Sequence, residues 1–154
     1  LFVVGEERNS AGAYHASRHP RGAKFLINGE PTENKLAVGS KGALRFEIHA
    51  AGRMAHSAYP ELGDSAINKL LDALERIRRV PLPTDPRLGP STLNIGTISG
   101  GRAPNVISDH AKAELFIRLV DDGAATRAAV HAAAGPTVEV KEILCIPAMY
   151  FGEL

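Results

Sequence analysis

A single cysteine, Cys145, in 154 residues excludes an internal disulfide and fits a reducing, cytoplasmic setting. No apolar run approaches the ~20 residues that a membrane-spanning helix needs. No basic segment followed by an apolar stretch is visible near the start either. An excess of charge of one sign is also missing. The 18 lysines and arginines against 17 aspartates and glutamates leave a net charge of +1, so neither nucleic acid nor an anionic membrane is expected as a partner. Aromatic residues make up only 5%, and the sequence lacks the sheet aromatics with which nucleic-acid-binding ferredoxin-like domains stack bases. Repeats and low-complexity segments are absent as well. What is present is an ordinary globular composition, 44% hydrophobic and 23% charged, in a chain long enough for one core or for one domain plus pieces of another. The sequence opens on Leu1-Phe2-Val3-Val4 without a methionine and closes on Tyr150 to Leu154 without a helix cap. It is therefore expected to be a piece of a longer protein.

The pattern of apolar residues changes along the chain. Leu1 to Val4 and Lys24 to Asn28 are short continuous apolar runs, the signature of strands buried in an α/β sheet. Glycine and then glutamate follow each of them, Gly5-Glu6-Glu7 in one case and Gly29-Glu30 in the other. Between them, Ser10 to Ala13 begins a short helix that Pro20-Arg21-Gly22 ends. From Lys41 onward the pattern becomes alternating. Leu44, Phe46, Ile48 and Ala50 face inward while Arg45, Glu47 and His49 face water, as in an antiparallel or mixed sheet. The switch predicts a domain boundary near Leu36 to Ser40.

A helix follows, capped by Asp64 or Ser65. Its predicted inner face is Ile67, Leu70, Leu71, Leu74 and Ile77. Arg76, Arg78 and Arg79 suit its negative C-terminal end, and Pro81 and Pro83 stop it. The proline-rich linker from Pro81 to Pro90 is expected to be stiff and exposed. Leu93, Ile95 and Thr97 mark a second strand and Ala111 to Leu119 a third, joined as a hairpin around Arg102 to Asp109. Asp121-Asp122 then caps an alanine-rich helix from about Gly123 to Ala134, stopped by Gly135-Pro136. Val138 and Val140 belong to a fourth strand. The order β-α-β-β-α-β is that of a ferredoxin-like α+β domain, with strands one and three central and strands two and four at the edges.

Several residues along this frame could carry chemistry. Glu6 and Glu7 sit at the carboxyl end of a strand, where open α/β sheets place their sites. One such carboxylate can bind a cation while its neighbour accepts a proton from metal-bound water, whose pKa falls to roughly 7 on zinc. Alone, a Glu-Glu pair reads as a solvated surface feature and Glu30 as a turn residue. His56 reads as a loop imidazole bonded to nearby backbone. Asn105 suits an ordinary turn. Arg118, on the wet face of strand three, could fork onto a carboxylate or be merely solvated.

Taken together and in order, these motifs resemble a known family. Val4-Gly5-Glu6-Glu7 with Ala11-Gly12-Ala13, Gly29-Glu30-Pro31-Thr32, Gly52 to Pro60 with Glu61-Leu62-Gly63, Asn105-Val106-Ile107, and Arg118 are similar to those of the co-catalytic zinc amidohydrolases and metallopeptidases. That family includes acetylornithine deacetylase, succinyl-diaminopimelate desuccinylase, aminoacylase and carboxypeptidase G. The resemblance implies that Glu6 is the general base toward the attacking water, Glu7 a zinc ligand, and Glu30 the carboxylate ligand of a second zinc. It implies that His56 stabilises the oxyanion across a dimer, with Asn105 at the same shared site, and that Arg118 holds the substrate carboxylate. It further implies a lid that is also the dimerisation domain, and two zinc ions per subunit of the whole enzyme, with cobalt or manganese as alternatives.

On this basis residues 1–36 are expected to belong to the catalytic domain, 37–142 to the lid, and 143–154 to the return into the catalytic domain. The fold class is then α+β, a ferredoxin-like lid with flanking strands of an α/β domain. The parent would cleave the amide bond of N-acyl amino acids or small peptides. The family's remaining metal ligands have no counterpart here, and His15 and His19 stand in the wrong place to supply them. The chain alone is therefore expected to be inactive and metal-free. Ser40 and Lys41 stand where the desuccinylases carry arginines, which disfavours a succinylated substrate. The alternative from another class is a non-catalytic dimerisation module.

Overall fold

The computed structural model describes residues 2–6, 10–22, 24–25, 27–29 and 31–151. The chain forms two compact units, Leu1–Leu36 and Ala37–Leu154.

In the first unit a helix, α1, spans Ala11–Arg18 and gives way before Pro20 as its sequence predicts. Ser10 enters it in the left-handed region, with φ 53°. Gly12 is required by a close approach. Its N–H donates to the Val4 carbonyl at 3.0 Å, and a Cβ there would lie 2.5 Å from the Val4 nitrogen. The two expected buried strands are not formed by the described residues. Phe2, Val4, Phe25 and Ile27 are all exposed and lie outside any strand. A strand of a parallel sheet exists only with hydrogen-bonded neighbours, and no strand pairs with these segments among the described residues.

The second unit is built on four strands, β1 (Gly42–Ala51), β2 (Thr92–Gly100), β3 (His110–Leu119) and β4 (Glu139–Ile146). They form one antiparallel sheet in the order β2-β3-β1-β4, so β1 and β3 are central, as the sequence pattern predicts. β1 and β3 pair without interruption from Gly42 opposite Leu119 to Ala51 opposite His110. Two helices, α2 (Ala66–Arg78) and α3 (Ala124–Ala134), complete the βαββαβ order. The core brings together Leu44, Phe46 and Ile48 of β1, Leu115, Ile117 and Leu119 of β3, Leu70, Leu74 and Ile77 of α2, and Val130 of α3. Burying each large side chain contributes roughly 1.5–3 kcal/mol, which drives the two helices onto one face of the sheet.

The helix ends show how sequence sets the boundaries. Ser65 Oγ accepts from the Asn68 N–H at 3.2 Å, so Ser65 rather than Asp64 is the cap of α2. The carbonyl and Oγ of Ser108 take the next two free N–H groups, those of Ala66 and Ile67, each at 2.9 Å. Ser108 thereby ties the end of the β2–β3 hairpin to the start of α2. Arg76 acts on a different helix than expected. Its guanidinium donates to the carbonyls of Ala133 and Ala134 at 2.8 and 2.7 Å, capping the C-terminus of α3. Asp121 and Asp122 accept from the N–H groups of Gly123 and Ala124 at 2.9 and 3.0 Å, and Gly135 ends α3 at φ 72°.

Three further expectations shift. Leu71 is half-exposed and Ile67 only partly buried, because Ala66 and Ala73 bring the helix axis close to the sheet and rotate the packed stripe toward them. The 81–90 linker is not wholly exposed: Leu82 packs against the core. Its turn is held by Asp85 Oδ1, which accepts from the Arg87 and Leu88 N–H groups at 2.7 and 2.8 Å. β4 runs further than Val138 and Val140 suggest, because a bulge opposite Arg45 and Phe46 breaks its alternation at Ile143.

The face of the sheet opposite the helices carries a charge network. Glu47 accepts from Lys112 and from His49 Nε2, both at 3.0 Å, while Arg45 pairs with Glu114. The His49 and Lys112 bonds lower the Glu47 carboxyl from 4.5 to about 2. A carboxyl held below its unfolded value stabilises the fold above pH ~4.5, and that contribution disappears as the pH falls through ~2. Glu47→Gln is expected to lower stability at pH 7 and to flatten the acid loss between pH ~4.5 and ~2, read from urea unfolding across that range. An unchanged acid limb in the variant would show that Glu47 is not held in this network.

Candidate functional site

The antiparallel pairing of β1 and β3 puts the loop that follows β1 and the hairpin that precedes β3 at the same end of the sheet. The first of these, residues 52–65, is a closed ring with His56 at its tip. Gly52 opens it in a space that admits no side chain, since a Cβ would lie 2.0 Å from the Asp64 carbonyl oxygen. Arg53 and Asp64 then exchange both backbone hydrogen bonds, at 2.8 and 2.9 Å. Lys69 reinforces this neck by pairing with the Asp64 carboxylate and donating to the Ala51 carbonyl at 2.9 Å. The far side of the ring is a 3-10 turn, Pro60–Leu62, which packs Gly63 against Ile107.

The hairpin clasps the ring from the side. Ala55 and His56 pair with Ile107 and Val106, and the Ser57 N–H donates to the Asn105 carbonyl at 2.9 Å. Its own neck is closed by the Arg102 guanidinium on the Asp109 carboxylate, with Nη2 at 2.9 Å. Arg102 and His110 together hold the Asp109 carboxyl well below the usual range. His56 and Asn105, distant in sequence, are thus neighbours on one exposed tip.

The imidazole of His56 has a defined orientation. Its Nδ1 accepts from the Ala58 N–H at 3.1 Å, and its ring lies 6.3 Å from that of Tyr59. With Nδ1 an acceptor, the neutral ring carries its proton on Nε2 and can donate there. Such a donor suits an oxygen on which negative charge develops. Met54, Tyr59 and Leu62 of the same ring are exposed apolar residues.

Arg118 lies elsewhere. It is exposed near the far end of β3, its guanidinium 4.8 Å above the Phe116 ring. It stands eight positions along the strand from His110, about 27 Å at the usual rise. One copy of the chain does not bring His56 and Arg118 together. Glu6 is exposed in the turn after Gly5, ahead of α1. Glu7 and Glu30 lie outside the described residues. Among the described residues no three His, Cys, Asp or Glu side chains converge as a metal site would require. His15 and His19 stack on each other at 4.4 Å, with His19 Nδ1 bonded to the His15 carbonyl.

Sequence reasoning missed Arg53, Lys69 and Ser108, which shape the tip. Their partners are mostly backbone carbonyls and N–H groups, which leave no residue-type signature. Ser108 alone carried a signal, as a small polar residue inside an apolar hairpin.

The second unit is thus a βαββαβ domain with a histidine tip at one end of its sheet and an exposed arginine at the other. The peptidase dimerisation domain model matches residues 38–141, and the chain belongs to this M20 family. It is 49% identical over 123 residues to a peptidase M20 domain-containing protein of Schizosaccharomyces pombe, covering 79% of this chain and 31% of that protein. It is 46% identical over 134 residues to a probable carboxypeptidase of Ajellomyces dermatitidis, again covering 79% and 31%. The chain thus spans about a third of the length of these curated relatives. Among solved structures it is similar in fold to the aminopeptidase PepT of Bacillus cereus, with a TM-score of 0.75 at 23% identity over 98% of this chain and 42% of that one. A hydantoinase/carbamoylase family amidase of Burkholderia multivorans shares the fold over 74% of this chain and 30% of its own, with a TM-score of 0.62 at 17% identity.

Proposed function

We propose that the chain is the lid and adjoining catalytic segment of a metal-dependent hydrolase that cleaves the amide bond of N-acyl amino acids or small peptides. The relatives named as peptidase and probable carboxypeptidase support the reaction class. In this reading Glu6 takes the proton of the attacking water and passes it to the leaving amine. His56, with Asn105 beside it, donates from Nε2 to the oxyanion. Arg118 holds the substrate carboxylate in a fork. Glu7 and Glu30 are proposed as the chain's carboxylates toward a two-zinc centre, whose other ligands belong to the rest of the parent. The chain alone is proposed to be inactive.

The observation that carries this reading is the separation of His56 and Arg118 along β3. A dipeptide extends only about 7 Å, far less than the ~27 Å between the two ends of the strand. If both residues serve one substrate, they come from two copies of the chain, and the site is shared across a homodimer. The sheet has two edges on which such a dimer could form, and they differ. Both edge ladders carry an irregularity, but β4 also carries Glu139, Lys141 and Glu142, with Glu142 bound to Arg127, charges that discourage edge pairing. β2 carries no charged residue and no proline from Thr92 to Gly100. Ile98 stands half-exposed on its helical side, opposite Ala113. We assign the dimer contact to β2 and the neighbouring exposed flank of α2, where Leu71 lies. The second reading, a dimerisation module without catalysis, shares this interface and differs only in the parent's metal ligands.

Two measurements test the proposal. The full-length parent, stripped by chelator and reloaded with zinc, is expected to hydrolyse members of a panel of N-acetyl, N-succinyl and dipeptide substrates. His56→Ala is expected to lower kcat by about 10²–10³-fold and Glu6→Gln by about 10²–10⁴-fold. A zinc-loaded parent that hydrolyses nothing on the panel would leave only the dimerisation module. By light scattering, Ile98→Lys is expected to convert a dimer to a monomer, while Ile143→Lys on β4 leaves the dimer intact. The opposite pattern would move the interface to β4.

A further inference from the structure

We infer that Arg53 is a positioning residue whose side chain holds the turn that orients His56, an inference that rests on the proposed role of His56. Arg53 is bound into the ring twice. Its backbone exchanges two hydrogen bonds with Asp64, and its Nε–H donates to the Leu62 carbonyl at 2.8 Å. Leu62 ends the 3-10 turn, so its carbonyl has no onward turn to bond and needs an outside donor. From there the bonds run back to the imidazole. The Leu62 N–H donates to the Tyr59 carbonyl at 3.1 Å, and the Tyr59 N–H donates to the His56 carbonyl at 2.9 Å. The Ala58 N–H, between these two, donates to His56 Nδ1 at 3.1 Å and sets which nitrogen carries the proton. Arg53 is the side chain in this series that closes the ring from the neck to the turn.

The other clasps of the ring do not duplicate it. Lys69 secures Asp64 and Ala51 at the neck. The hairpin secures Ala55, His56 and Ser57 on one side by hydrogen bonds, and meets the return segment only by packing Ile107 on Gly63. The return segment from Pro60 to Gly63 meets the neck through the guanidinium. Without it the neck and hairpin bonds remain, so the sheet and helices persist while the turn gains freedom. The imidazole would then sample rotations that break the Ala58 bond, and the fraction of lids presenting Nε2–H in the productive direction would fall. Lysine at position 53 can reach the same carbonyl with its ammonium, so Arg53→Lys serves as the conservative replacement.

The test has two arms. In the zinc-loaded parent, Arg53→Ala is expected to lower kcat by roughly ten- to a hundredfold with KM within about twofold, and Arg53→Lys to recover most of the loss. In the His56→Ala background Arg53→Ala is expected to cost nothing more, because residues that act through one another are not additive. A full further loss in that background would show that Arg53 acts on its own and would overturn the inference. The second arm needs no turnover. In the 154-residue chain, Arg53→Ala is expected to speed amide hydrogen exchange at Ala58, Tyr59, Leu62 and Gly63 and leave β1 and β3 unchanged. Unchanged exchange at those four amides would equally overturn it. An inactive parent with the exchange result intact would remove the proposed function and leave Arg53 as the group that fixes the ring.

Discussion

The uninterrupted ladder between β1 and β3 is the constraint on which the rest of this domain depends. An antiparallel pair fixes which connections share an end of the sheet. Because Ala51 lies opposite His110, the loop leaving β1 and the hairpin entering β3 must meet, and His56 and Asn105 meet with them. Because Gly42 lies opposite Leu119, the chain entering β1 and leaving β3 meets at the other end, close to Arg118. There the segments on either side of the domain pair with each other, Gly39 with Tyr150 and Ser40 with Met149. The Arg87 guanidinium lies 4.3 Å above the Tyr150 ring, and the Tyr150 hydroxyl, against Asp85, lowers that carboxyl. The two ends of one strand pair thus hold different chemistry, while the helices bury one face of the sheet between them and the charge network lies on the other.

This arrangement explains why so many hydrogen bonds go into small loops. The core needs only the inward faces of β1 and β3 and the stripes of α2 and α3. The ring after β1 has little core of its own and is held by backbone hydrogen bonds, two glycines in tight contact and two basic side chains. A tip built this way can remain exposed and polar without loosening the domain. The same economy appears at the sheet edges, where β4 is blunted by charge while β2 carries no charged residue.

Much of the fold was legible in sequence because β1 and β3 alternate without a break. Leu44 to Ala50 and Ala111 to Leu119 reveal their faces by period two alone, and Ser65, Asp121 and Gly135 mark helix ends by side-chain chemistry. What was not legible depends on partners that no local pattern encodes. The bulge opposite Arg45 hides the length of β4, and Leu71 is apolar at an exposed position because the helix rotates toward its alanines. The apolar runs at Phe2 to Val4 and around Phe25 read as strands, yet the described residues offer them no strand to pair with. At the tip, the family resemblance pointed to His56 and Asn105, while position alone read each as an ordinary loop residue. Their adjacency follows from the strand register, and the contribution of Arg53 follows from a bond to a carbonyl, which sequence does not show.

The proposed function requires that His56 of one copy of the chain serve the reaction in which Glu6 of the other copy takes part. Subunit complementation is the direct test. Full-length Glu6→Gln and His56→Ala parents, each inactive, are mixed, allowed to exchange subunits, reloaded with zinc and assayed. In a hybrid dimer the subunit with intact Glu6 receives an intact His56 from its neighbour. Activity is expected to return on mixing, in proportion to hybrid dimer formed. Hybrid dimers that form and stay inactive would place His56 and Glu6 in the same subunit's site and rule out a shared one.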